Sequence, residues 1–300
     1  MNGFVGNNLV KKLSTNPDLV VVGAARADVD LLDGEAVHTY FAQHSDADVI
    51  LHCVSVGGSR QTNYDNYSTD VVKQNLRMFF NVLRFLKPTQ RVIFLGSGAE
   101  YGRNYYLPKM PEEYFDSHIP EDDYGFAKYV IARYTTLHEN MLDLRIFGLY
   151  GQGEDYRHKF ISNAIVKGLI GLPISIAQNV VFDYLYINDF VRLIERLLNV
   201  DWPYRHMNIT PTEPIDLFSA AKLVNESTGN KAGIQVLHPG WNTEYTGDNT
   251  KLLEVVGPFE FTAYRQGILE LTDFYRSILH RLDLNTIRED PYLGKCIIKK

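Results

Sequence analysis

Val92-Ile93-Phe94-Leu95-Gly96-Ser97-Gly98 is the stretch on which the fold turns. Four consecutive apolar residues suit a strand covered on both faces, and Gly-Ser-Gly at its end is a turn. Similar runs lie at Leu19 to Ala24, Val49 to Val54 and Leu142 to Phe147. Between them Gly34 to Gln43, Asn66 to Leu86 and Tyr124 to Asn140 carry apolar residues three and four apart, as helices lying on a sheet do. The alternation predicts an α/β chain built on a doubly wound parallel sheet. In such sheets ligands bind beyond the C-terminal ends of the strands, which is where Ser97 falls.

After Gly151 the pattern changes to short strands (Ile174 to Ala177, Phe182 to Ile187), helices (Asn188 to Leu198, Ile215 to Thr228) and Gly/Pro-rich connections. Residues 1–150 are therefore read as a dinucleotide-binding domain, with 179–200 returning to it. Residues 151–178 and 201–285 form a smaller α+β substrate lobe with a last helix over Tyr264 to Leu282, and 286–300 are a tail.

Composition narrows the function classes. In 300 residues with 45% hydrophobic and 22% charged side chains, disorder and low-complexity arrays are excluded. The net charge of −6 is scattered, with no basic run to neutralise a row of phosphates, so no nucleic-acid polymer is expected as partner. Cys53 and Cys296 belong to no Cys-x-x-Cys or Cys/His cluster, so neither a disulfide framework nor a metal site is expected. No apolar run has the length of a membrane span and no signal sequence opens the chain; a cytoplasmic protein without membrane contact is the expectation.

Gly3-Phe4-Val5-Gly6 opens directly into a helical pattern through Leu9, Val10 and Leu13. A glycine pair three apart at a helix start is the second half of a G-x-G-x-x-G turn, which brings backbone N–H groups and the helix dipole to a pyrophosphate. The preceding strand and first glycine are absent, and a start placed too late is the expected cause. Alone, the pair also reads as an ordinary loop and helix start.

Tyr124 and Lys128, in Tyr124-Gly125-Phe126-Ala127-Lys128, share a helix face, so a phenol and an ammonium point into one cleft. A cation beside a phenol favours phenolate, which makes tyrosine usable as an acid or base near neutrality. The spacing also arises in exposed helix pairs, and a serine between glycines is ordinarily a turn former. Glycine pair, Ser97, Tyr124 and Lys128 in this order point instead to hydride-transfer chemistry.

On these residues the chain resembles the extended short-chain dehydrogenase/reductase superfamily, with its Rossmann-type sheet. Arg26-Ala27-Asp28-Val29-Asp30-Leu31-Leu32-Asp33 and Val54-Ser55-Val56-Gly57-Gly58 look most like the GDP-L-fucose synthase family. The resemblance implies a nucleotide-sugar substrate and catalysis by Ser97, Tyr124 and Lys128. It also implies a cofactor held by Gly3, Phe4, Val5, Gly6, Arg26, Asp33, Val54 and Asn75 with Tyr124 and Lys128, and a substrate site at Ser97, Gly98, Ala99, Lys159 and Asn163. Arg26 stands where that family binds a 2′-phosphate and no acid ends the preceding apolar run, so NADP is expected ahead of NAD; the family's second cation there is Asn2. Asp33 serves either the adenine or as a helix N-cap.

Several positions depart from the family. Gly98-Ala99 replaces the Asp-Glu pair of dehydratases, and Ala99 also replaces the fucose synthase cysteine. The histidine partner of that cysteine falls on or beside Lys159, next to His158, which is expected to be exposed. Gly148 replaces an asparagine in Arg145-Ile146-Phe147-Gly148-Leu149-Tyr150-Gly151, and Phe182 replaces an arginine that contacts phosphates. Arg157, Lys159, Lys167 and Arg205 are the cations from which a substitute is sought. The expected function is NAD(P)-dependent ketoreduction or epimerisation at C4 of a nucleotide sugar. The alternative is a nucleotide-binding or interaction protein of the same fold that has lost turnover. A homodimer through helices 66–86 and 124–140 is expected, although Met78, Phe79 and Leu83 also read as core.

Overall fold

The computed structural model describes residues 3–58 and 69–299; Asn2 and the 66–68 end of the third predicted helix lie outside them. Its centre is a parallel sheet in the order β1 (Val49–His52), β2 (Arg91–Ser97), β3 (Met141–Ile146), then His206–Ile209. The helices that matter for the site are α1 (Phe4–Leu13), α2 (Gly34–Gln43), α3 (Thr69–Leu83), α4 (Asp123–Thr135), α5 (Phe160–Leu169) and α6 (Ile187–Leu198).

The two-sided covering read from β2 is the observed one. Ile93 and Leu95 enter a core with Leu9 and Leu13 of α1 and Ile194 and Leu197 of α6. Phe94 points the other way, onto Phe79 of α3 and Ile131 of α4, with the Phe79 and Phe94 rings 5.4 Å apart. Successive side chains of a strand alternate between faces, so one apolar run must satisfy both helical layers.

Two expectations are corrected. Leu19 to Ala24 is extended but pairs with no strand. Leu19 and Val21 pack on the core, whereas Val20 and Val22 are 98% and 58% exposed. Among the described residues no strand joins this run to the free edge of β1, so it has no ladder to enter. The fourth sheet strand, His206–Ile209, comes from a region that the sequence assigned to the outer lobe; it pairs with β3 through Asp143 to Ile146.

Beyond the sheet, Ile174–Asn179 pairs in parallel with Ile234–Trp241, under α5 and the helices Leu217–Thr228 and Tyr264–Ile278. The tail is not loose: Ile287 and Tyr292 are buried in the large core, and the Tyr292 ring lies 5.7 Å from that of Phe160.

Phe79 joins both helices of its layer to the sheet. Phe79→Ala is expected to lower stability by about 3–5 kcal/mol in urea unfolding, with an unchanged far-ultraviolet spectrum; a loss below about 1 kcal/mol would show that the layer closes without it.

Candidate active site

A cleft of about 880 Å³ opens at the C-terminal ends of the sheet strands. Cys53 and Ser55 follow β1, Gly96 and Ser97 end β2, and Phe147 and Gly148 follow β3 on its wall. Phe4 and Val5 at the start of α1 line it as well. The first N–H groups of a helix have no intrahelical acceptor, so this end can receive an anion. Asn8 ties that turn to the opposite wall, donating to Phe4 O and Gln152 O at 2.9 Å each.

Ser97, Tyr124 and Lys128 meet in this cleft. Asp122 caps α4 by accepting from Gly125 N–H at 2.8 Å, and its other oxygen pairs with Arg103 at 3.2 Å. That cap fixes the first turn, and with it the direction of Tyr124. Gly58, at φ +72°, is required by the same ring: a Cβ there would lie 2.4 Å from Tyr124 Cζ. The Ser97 hydroxyl accepts from Ala99 N–H at 3.2 Å and stands beside Tyr124 and also Tyr245, favouring the ionised form of each; Tyr245 is a second phenol that no spacing in the sequence announces.

The electrostatics differ from the expectation. Burial pushes the Tyr124 phenol above its ordinary value, against the opposing effects of Ser97 and Arg103, so it is not poised as a phenolate. Lys128 Nζ donates to Leu95 O at 2.6 Å and lies 5.7 Å from the Tyr124 ring centre. Its own value is pushed down to about 8 by burial, while Glu100 and Asp143 pull the other way.

Those two carboxyls form a buried cluster beneath the turn. Arg145 Nε lies 2.8 Å from Glu100 Oε2 and 3.2 Å from Asp143 Oδ2, all three fully buried. Glu100 Oε1 accepts from Ser97 N–H at 2.7 Å, so the cluster also holds the serine backbone. Burial, and then the neighbouring Glu100, push the Asp143 carboxyl well above the usual carboxylate range, while Arg145 and Lys128 pull it down. Gly96 is needed here, because a Cβ would fall 2.0 Å from Asp143 Oδ1 and 2.5 Å from Glu100 Oε1.

Other residues singled out from the sequence divide clearly. Lys159 lines the cleft, as does His158, which is half-buried and bonded through Nδ1 to Asp155 at 2.8 Å rather than exposed. Glu154 lines it too, buried, and pushed up to about 7 by that burial. Gly98 packs under Tyr245 and Phe147, Ala99 is buried, and neither faces the cleft. Asn75 and Asn163 do not line it either. Asn75 spends its amide on Val56 N–H, Val56 O and Val71 O, and Asn163 donates to Arg157 O, so both clamp backbone. Asp33 caps α2 through Glu35 and Ala36 N–H. Gly3 caps α1, Gly6 is buried in it, and Val54 is part-exposed beside the cleft wall. Arg26 is 82% exposed, beside Asp30 at 3.5 Å. Arg157 pairs with Asp155, Lys167 with Asp290 and Arg205 with Glu139, all off the cleft wall.

A parallel sheet, a helix N-terminus at its C-terminal edge and a Ser/Tyr/Lys set in the same cleft define a nucleotide-binding α/β protein with acid–base groups in place. The chain belongs to the NAD dependent epimerase/dehydratase family, whose model matches residues 1–210. It is 23% identical over 294 residues to GDP-L-fucose synthase 1 of Arabidopsis thaliana, covering 91% of this chain and 90% of that protein. Among solved structures it resembles a GDP-L-fucose synthetase from Naegleria fowleri (TM-score 0.79, 14% identity, 93% of this chain and 91% of that one). It also resembles UDP-glucose 4-epimerase of Thermotoga maritima (0.76, 21%, 93% and 97%). A third likeness is to an NADP-bound GDP-mannoheptose C4 reductase from Campylobacter jejuni (0.77, 18%, 91% and 96%). Among the described residues no helix is long and apolar enough to cross a membrane, and no cluster of His, Cys, Asp and Glu could hold a metal.

Glu100 and Asp143 both favour the Lys128 ammonium against its burial, and Asp143→Asn with Glu100→Gln removes the support of both carboxyls. The double variant should titrate at least one unit lower, followed by the 15Nζ shift of labelled lysine; coincidence with the parent would remove the cluster's hold on Lys128.

Proposed function

We propose that this chain is an NADP-dependent ketoreductase or epimerase acting at C4 of a nucleotide-linked sugar. The observation that carries the reading is the convergence of Ser97, Tyr124 and Lys128 in one cleft with the start of α1. It also favours an enzyme over a fold that has lost turnover, since the three residues share the cleft wall with the start of α1.

The residues present fit a dinucleotide. The N-terminus of α1 receives the pyrophosphate, and Lys128 stands at the cleft wall to bond the nicotinamide ribose. When bound, the nicotinamide supplies or withdraws hydride at the sugar carbon. Ser97 orients the carbonyl oxygen. Tyr124, kept protonated by burial, gives that oxygen its proton, and takes it back when the alcohol is the substrate. Lys128 keeps a positive charge beside the developing alkoxide. Ala99 carries no acid–base group where the fucose synthase family has its cysteine, which favours chemistry at C4 without proton transfer at C3 or C5.

The cofactor preference rests on Arg26, exposed and held only by a long pair to Asp30, while the nearby Asp28 is spent on Ala25 N–H at 2.7 Å. For the assembly we favour a homodimer on α3 and α4, where Phe80, Leu83 and Tyr134 remain only partly buried. The free Cys53 and Cys296 suit a cytoplasmic protein.

Nicotinamide fluorescence should show NADPH binding more tightly than NADH, with Arg26→Ala abolishing the preference; equal affinities in the parent would remove NADP from the reading. With UDP- and GDP-linked 4-keto sugars, Tyr124→Phe is expected to lower turnover about 10²–10³-fold while NADPH still binds. Consumption of NADPH with the 4-keto sugars identifies a reductase, and interconversion of C4-epimeric UDP- or GDP-hexoses with no net cofactor change identifies a 4-epimerase.

A further inference from the structure

The cleft has a wall that none of the chemistry above uses. Residues 295–299, the end of the tail, line it beside Gln178 and Asn242 of the outer lobe. They are held there in a defined way: Lys299 N–H donates to Gln178 Oε1 at 2.8 Å, and Gln178 Nε2 donates back to Lys299 O at 3.1 Å. Asn242 Nδ2 donates to Ile297 O at 2.7 Å. One turn earlier the buried Tyr292 anchors the segment in the core. Three backbone hydrogen bonds and an aromatic anchor are more than a passing tail makes.

The cleft also has a charge requirement. A nucleotide-linked sugar carries a diphosphate, which is bound by cations in a setting where they are not already neutralised. Most cations of the cleft are committed elsewhere. Arg103 pairs with Asp122, His158 with Asp155, and Lys128 donates to Leu95 O. Lys159 shares its field with Glu154 and Tyr124. Phe182 offers an aromatic face, 5.2 Å from Tyr184 and 5.8 Å from Tyr245. Lys295 and Lys299 are exposed on the wall and form no ion pair with a described residue.

We propose that residues 292–299 are the diphosphate-binding wall of the substrate cleft, with Lys295 and Lys299 taking the phosphates and Gln178 and Asn242 fixing the segment that presents them. The inference rests on the nucleotide-sugar reading above and adds to it the part of the chain that selects the substrate. Because backbone atoms make the Gln178 and Asn242 bonds, changing the lysine side chains leaves the segment in place.

The test uses GDP, UDP and dTDP as probes in calorimetric titrations of the full chain, with NADPH titrated separately. The double variant Lys295→Gln with Lys299→Gln is expected to weaken the best-bound diphosphate at least tenfold, with NADPH affinity within twofold of the parent. The Lys→Arg pair should retain binding. In turnover the Gln pair should raise KM and leave kcat within about twofold. Unchanged diphosphate affinity in the Gln pair overturns the tail's role while the nucleotide-sugar reading stands. A parent chain that binds NADPH but none of the three diphosphates overturns that reading, and this inference with it.

Discussion

The buried contact of Arg145 with Glu100 and Asp143 is the constraint on which the site depends. Burying an arginine with two carboxyls out of water is expensive, and their attraction compensates only when the geometry is good and the remaining donors and acceptors are used. Here Glu100 uses one oxygen on Arg145 and the other on the Ser97 N–H, and Arg145 reaches on to the Tyr101 hydroxyl at 3.1 Å. Tyr101 in turn donates to Asn208 on the fourth sheet strand. The serine that ends β2 is thereby tied across β3 to 206–209. Moving Ser97 means breaking a buried salt bridge, so the position of the hydroxyl is as rigid as the sheet.

The same cluster sets the charge felt by Lys128. Burial works against its ammonium, and the carboxyls work for it. Glu100 and Asp143 lie between an arginine that never loses its proton and a lysine that can, so the same two carboxyls serve both cations. Burial, with Glu100 adding to it, keeps the Tyr124 phenol above its ordinary value. The division assigns proton donation to the tyrosine and positive charge to the lysine, a sharper split than the sequence spacing of the two residues conveys.

How much of this was legible follows from what each residue does. β2, β3 and α4 were readable because two-sided burial forces long apolar runs and helical spacing. Ser97, Tyr124 and Lys128 could be singled out by their order and spacing on a strand end and a helix start, and the structure brings them to one cleft. His206–Ile209 was not: half its residues are polar, and its asparagine is spent on Tyr101, Met110 O and Asp248 O rather than on water. Asn75 and Asn163 show the converse, since a buried amide bonded to backbone looks in sequence like one that meets a ligand. Glu100 gave no signal, because its neighbours Gly98, Ala99 and Tyr101 suggest a turn and nothing in one dimension brings Asp143 and Arg145 beneath it. Tyr245 and the tail converge on the cleft from more than 100 residues away.

The free edge of β1 and the unpaired 19–25 run bear on the cofactor rather than on the reacting groups. A dinucleotide needs the start of α1 to be aimed, and ordinarily a strand aims it. Among the described residues side chains also hold it: Asn8 fixes the first turn to Gln152, Leu9 and Leu13 bury against α6, and Gly23 packs so closely on Val10 that a Cβ would approach to 2.7 Å. These contacts hold the helix from its flank and its far end, leaving the first N–H groups at the cleft. Ser97, Tyr124 and Lys128, by contrast, hang from β2 and α4, which are packed on both sides. The reacting groups and the cofactor turn therefore rest on separate supports, and loosening of the second need not disturb the first.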